Sequence, residues 1–158
     1  MREARTSHGT FYLYFANKED LLAALAAECA VELRALTEHL PEDLGGPEGE
    51  EALAAFVAAF LTTYRTYAGV IRAWMEGHVV DAATNRLGVR TFTHIADRLE
   101  RRLPRGVRGQ ARRAQAAALM ALLERSAYAL VSRHLAGTDE AATTLARLVH
   151  RGFFAPVG

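Results

Sequence analysis

The sequence predicts an all-α fold, and three observations predict it. Hydrophobic residues make up 51% of the chain, and alanine and leucine dominate them, the composition of a packed globular protein. Apolar positions recur at steps of three and four, the period of a helix with one buried face. Glycine and proline fall in clusters between the periodic runs, as in Gly45-Gly46-Pro47 and Pro104-Arg105-Gly106, where they end helices. No run alternates as a strand does.

Taken in order, the first element is a short helix over Ser7–Phe15. Phe11 and Phe15 lie four apart on one inward face, while Ser7, His8, Thr10, Tyr12 and Tyr14 spread over the others around Gly9. The second helix carries one stripe of Leu22, Leu25, Cys29, Leu33, Leu36 and Leu40. Asn17 is its N-cap and Glu19 and Asp20 complement its first turn, and Pro41 with Gly45-Gly46-Pro47 stops it. The third opens on Glu48, Glu50 and Glu51 and presents Leu53, Phe56, Val57, Phe60, Leu61 and Tyr64. A short helical piece over Val70–His78 carries Ile71, Trp74 and Met75. The next, from about Asn85 to Leu103, buries Phe92, Ile95, Ala96, Leu99 and Leu103 until Pro104 and Gly106 break it. A long helix from Arg108 to Leu135 has two apolar faces, Leu119, Leu122 and Ala129 on one, and Met120, Leu123, Ala127 and Leu130 on another. Such a helix needs partners on more than one side. The last is capped by Thr138, begins Asp139-Glu140, and buries Leu145, Leu148, Val149 and Phe153.

At 158 residues the chain holds one body with a core, with or without a small attached module. Its one cysteine, Cys29, excludes an internal disulfide framework and a thiolate metal cage. No stretch reaches the roughly 20 apolar residues of a membrane span, and the amino terminus has no apolar run behind its charges. The expectation is a soluble, cytoplasmic protein without cofactor or metal. Net charge is +1, so bulk charge selects no partner. Lys18 is the sole lysine; seven arginines lie between Arg98 and Arg113. These read as solvated helix ends and loops, because no aromatic is interleaved to stack on bases.

The first 22 residues differ from the rest. Their exposed set is small, hydroxylated, aromatic and free of acid. Hydroxyls can donate to phosphate oxygens, a threonine methyl can touch a thymine methyl, and glycine lets backbone approach a duplex. Lys18 adds a cation at a helix start that already favours anions. Spacing alone leaves open a short amphipathic helix with incidental tyrosines. The run Thr6-Ser7-His8-Gly9-Thr10-Phe11-Tyr12-Leu13-Tyr14-Phe15-Ala16-Asn17-Lys18-Glu19-Asp20-Leu21-Leu22, however, closely resembles the recognition helix of TetR-family (tetracycline-repressor-like) regulators and its junction with the following helix.

That resemblance implies DNA contacts at Ser7, His8, Gly9, Thr10, Tyr12, Tyr14 and Lys18, with Phe11 and Phe15 in the small-domain core. Arg5 departs from the pattern, which usually has glycine in this turn. The family has further helices ahead of this point, so the expectation is a chain lacking the front of its helix-turn-helix domain, with Met1–Phe15 frayed, rearranged or packed on a neighbouring chain. Residues 1–40 are then a partial helix-turn-helix region (recognition helix about 7–15) and connecting helix, and 41–158 a ligand-binding and dimerisation domain.

Within that body Tyr64, Trp74, Met75, His78, Phe92, Met120 and Tyr128 come from four helices and mix bulky apolar groups with polar tips. They fit an apolar ligand cavity, and any single one fits ordinary core; the family's pockets lie among these middle helices. Glu124-Arg125 interrupts the most apolar helix and points to pocket, interface or an exposed edge. His78 with Asp81, and His94 with Asp97, have i,i+3 spacing and read as structural or solvated pairs. The reading is therefore a DNA-binding transcriptional repressor, not an enzyme, relieved by a small hydrophobic ligand. Its partners are operator DNA in the intact protein and a second copy through the last two helices. The alternatives are a ligand-binding module that has lost DNA binding, which a DNA-binding assay separates, and a small helical metalloenzyme, which metal analysis separates.

Overall fold

The computed structural model describes residues 17–79, 81–133 and 139–155, and these are mostly helical with no strand among them. Six α-helices follow in order: α1 Lys18–Ala35, α2 Pro47–Thr66, α3 Ala68–Met75, α4 Ala82–Glu100, α5 Gly109–Ser132 and α6 Asp139–Val149. A π-helical turn, His150–Phe154, continues α6.

The core runs through α2, whose stripe Leu53, Phe56, Val57, Phe60, Leu61 and Tyr64 is buried. Phe56 stacks on Phe60 at 6.0 Å between ring centres, and Phe60 meets Tyr64 at 6.2 Å. Burying a ring of this size stabilises by roughly 1.5–3 kcal/mol. α2 packs along α6, α1 along α4, and α4 against α5, so α1 shares the core of the body. At Tyr67 the chain turns by 89° from α2 into α3, and the Tyr67 hydroxyl donates to Glu32 Oε1 of α1 at 2.8 Å. Gly49 lets the first turn of α2 cross the backbone of Leu44, where a Cβ would stand 2.4 Å from the Leu44 carbonyl.

The first correction concerns the end of α1. The stripe through Leu40 predicted a longer helix, but α1 stops at Ala35. Thr37 Oγ1 donates to Arg34 O at 3.0 Å, and the N–H groups of Thr37 and Glu38 tighten onto carbonyls three back. Leu40 still reaches the core, from a turn. Arg102, itself buried, fastens that turn to α4: Nη2 donates to Leu40 O at 2.6 Å, Nε to Pro41 O at 2.7 Å, and Nη1 to Arg98 O at 2.7 Å. Arg112 of α5 likewise donates to the carbonyls of Glu100, Leu103, Pro104 and Val107 at the end of α4.

Further corrections concern the carboxy-terminal helices. The buried face of α5 is Ala116, Leu119, Leu123, Glu124 and Ala127, drawing on both expected apolar faces. On α6 the buried face is Ala142, Leu145, Ala146 and Val149; Leu148, expected inside, is 58% exposed because it lies a residue off that stripe. The π-turn shifts the register by one, so Phe154 is buried and Phe153 only half so. Thr138, the expected cap of α6, lies outside the described residues. No single helix among the described residues is long and apolar enough to cross a membrane.

Candidate functional site

A largely apolar groove of about 480 Å³ opens between α4 and α5, with the end of α3 as its floor. Its lining follows helical period. α4 contributes Asn85, Gly88, Val89, Phe92, Thr93 and Ala96, and α5 contributes Ala117, Met120, Ala121 and Glu124, each a single face. α3 supplies Trp74 and Met75. Small side chains at 88, 96, 117 and 121 hold the helices' backbones open to the cavity without filling it.

Trp74 is fixed in place. Its indole N–H donates to Thr84 O at 2.9 Å, and its ring meets Phe92 edge-on at 6.3 Å. Gly88 makes that pose possible, because a Cβ there would stand 2.6 Å from the Trp74 ring. Met75 and Val89, 47% and 61% exposed, form an apolar mouth. The wall carries one acid: Glu124 is 6% exposed. Arg125 Nε lies 3.7 Å from its carboxylate, but the Arg125 side chain is 73% exposed and sits over the Tyr128 ring at 5.6 Å.

The groove thus gathers Trp74, Met75, Phe92 and Met120 from the expected lining. Tyr64 lies in the core, where its buried hydroxyl has no hydrogen-bond partner among the described residues. Burial, then the charge of Glu124, pushes that hydroxyl up to about 12. Tyr128 is half-buried beneath Arg125, and His78 is exposed, 3.1 Å from Glu76. Sequence reasoning favoured bulky residues and so missed Asn85, Gly88, Val89, Thr93, Ala96, Ala117 and Ala121. The signal was there: 85, 88, 92 and 96 fall on one helical face, as do 117, 120, 121 and 124.

The other constellations resolve separately. Asp81 caps α4, accepting from Thr84 N at 2.6 Å, and those hydrogen bonds hold its carboxyl below the ordinary range. No group of three metal-ligating side chains occurs among the described residues. Cys29 is fully buried, and burial with Glu32 nearby pushes its thiol up to about 12, far from a reactive thiolate. The described DNA-side candidate is Lys18, exposed in the first turn of α1, where Asn17 Oδ1 accepts from Asp20 N at 2.8 Å. Ser7, His8, Gly9, Thr10, Tyr12 and Tyr14, and the expected fraying of Met1–Phe15, lie outside the described residues.

Comparison with curated proteins and with solved structures returns no match. Residues 1–25 match the family described as bacterial regulatory proteins, tetR family. That match covers the hydroxyl- and tyrosine-rich segment and the opening of α1, and the helical body behind it is the all-α architecture such regulators carry. The match at the amino terminus supports a regulator of the TetR family, whose members are DNA-binding transcriptional regulators.

Proposed function

We propose that this regulator is a cytoplasmic repressor whose groove binds a small hydrophobic ligand and whose α5 and α6 pair with a second copy. The groove carries this reading: α4 forms one of its walls and also packs along α1, the helix that continues from the DNA-reading segment. A ligand that parts α4 from α5 therefore moves α1 and changes the spacing of two DNA-reading heads. The contacts to DNA fall to Ser7, His8, Gly9, Thr10, Tyr12, Tyr14 and Lys18. The groove contacts fall to Trp74, Met75, Phe92 and Met120. Residues 1–40 serve as DNA-reading region and connecting helix, and 41–158 as the ligand-binding and dimerising body.

Dimerisation draws support from α5 and α6. A hollow of about 420 Å³ between them is lined by Ser126, Ala129, Leu130, Thr144, Leu145 and Leu148 among others. Leu148 stands 58% exposed beside it, a surface suited to a self-complementary two-fold.

The test is selection of binding sites by the full chain from random duplexes. Enrichment of an inverted repeat, bound as a dimer and released by groove ligands, is the expected result. No enrichment by a folded dimer would favour a ligand-binding module without DNA recognition.

A further inference from the structure

Resting on the groove as a ligand site, we infer that its ligand is a lipophilic cation, held by Glu124 from the α5 wall. Within a largely apolar lining, an acid on a residue only 6% exposed is costly unless something compensates its charge. The protein supplies little compensation. Among the described residues no hydrogen bond reaches the Glu124 carboxylate, and Arg125 stands 3.7 Å away with its side chain 73% in solvent. The nearby Tyr64 hydroxyl is itself without a hydrogen-bond partner among the described residues.

The rest of the lining suits the same ligand class. Trp74 and Phe92 offer ring surface that attracts positive charge, while Met75, Val89 and Met120 accept an apolar body. A neutral occupant would cover the acid without answering its charge, and an anion would be repelled by it.

Trp74 is the only tryptophan and lines the groove, so its emission reports occupancy. The probes are tetraphenylphosphonium and tetraphenylborate, alike in size and shape and opposite in charge. The cation should change Trp74 emission saturably and raise the melting temperature; the anion should do neither. Glu124→Gln should weaken cation binding by about tenfold or more. Arg125→Ala removes an exposed competing charge and should strengthen binding, which keeps the test open if Glu124→Gln fails to fold. Equal binding of both ions, unchanged in either variant, would overturn the charge assignment and leave the groove a ligand site. Binding of neither ion would remove both readings.

Discussion

Gly88 shows how one missing side chain shapes the groove. With the Trp74 ring 2.6 Å from where its Cβ would stand, Gly88→Ala must displace the indole or part α3 from α4. Overpacking of this kind costs typically about 1–3 kcal/mol. Urea unfolding should show that loss, and Trp74 emission should move to longer wavelength as the indole leaves Thr84 O. A second residue-scale prediction concerns His94. Partial burial, with Arg34 and Arg98 nearby, holds its imidazole below the ordinary 6.5 against the weaker pull of Asp97 and Glu38. The unfolded chain therefore binds the His94 proton more readily than the folded one, so the stabilisation is intact above about pH 6.5 and lost as pH falls below it. The melting temperature should fall on acidification, and His94→Gln should reduce the slope of that fall. Among individual residues, Trp74, Phe92 and Met120 were legible in the sequence because bulky apolar groups advertise themselves. Gly88, Ala117 and Ala121 were not, since space left open has no composition signal.

At the scale of elements, periodicity was read better than helix ends, and one cap, that of α1, was read correctly. Asn17 was expected to cap α1 and does, accepting from Asp20 N; Asn17→Ala should cost about 1 kcal/mol in thermal unfolding. The end of α1 was misplaced because Leu36 and Leu40 keep a helical spacing while Thr37 turns the backbone away from it. What holds that turn is the three-carbonyl grip of Arg102, a contact spanning some sixty residues of chain that no local pattern announces. Arg102→Met should leave the carbonyls of Leu40 and Pro41 without their donors and cost about 3 kcal/mol, measured by urea unfolding. The register shift of the π-turn was equally hidden, since Phe153 and Phe154 are interchangeable in a simple apolar count.

For the whole molecule, the all-α class followed from period alone, and the resemblance to TetR-family regulators from seventeen residues at the front, Thr6–Leu22, within the segment that the family model matches. The assembly did not follow so directly. Leu145 and Leu148 look equivalent in sequence, but Leu145 is 4% exposed and Leu148 58%. Leu148→Glu should therefore yield a folded monomer by light scattering, whereas Leu145→Glu should unfold the subunit; an unmodified protein that is monomeric at micromolar concentration would refute the proposed pairing. One last consequence follows from where the arginines point. Arg102 and Arg112 aim their guanidinium groups at backbone carbonyls, and a separate surface pair such as Arg147 with Glu50 is long, at 3.7 Å. Charge–dipole contacts at such short range are poorly screened by dissolved ions, and exposed pairs contribute little to begin with. Adding sodium chloride should leave the melting temperature nearly flat while the proposed phosphate-directed DNA affinity collapses. A single ionic-strength series can then separate loss of grip on DNA from loss of fold.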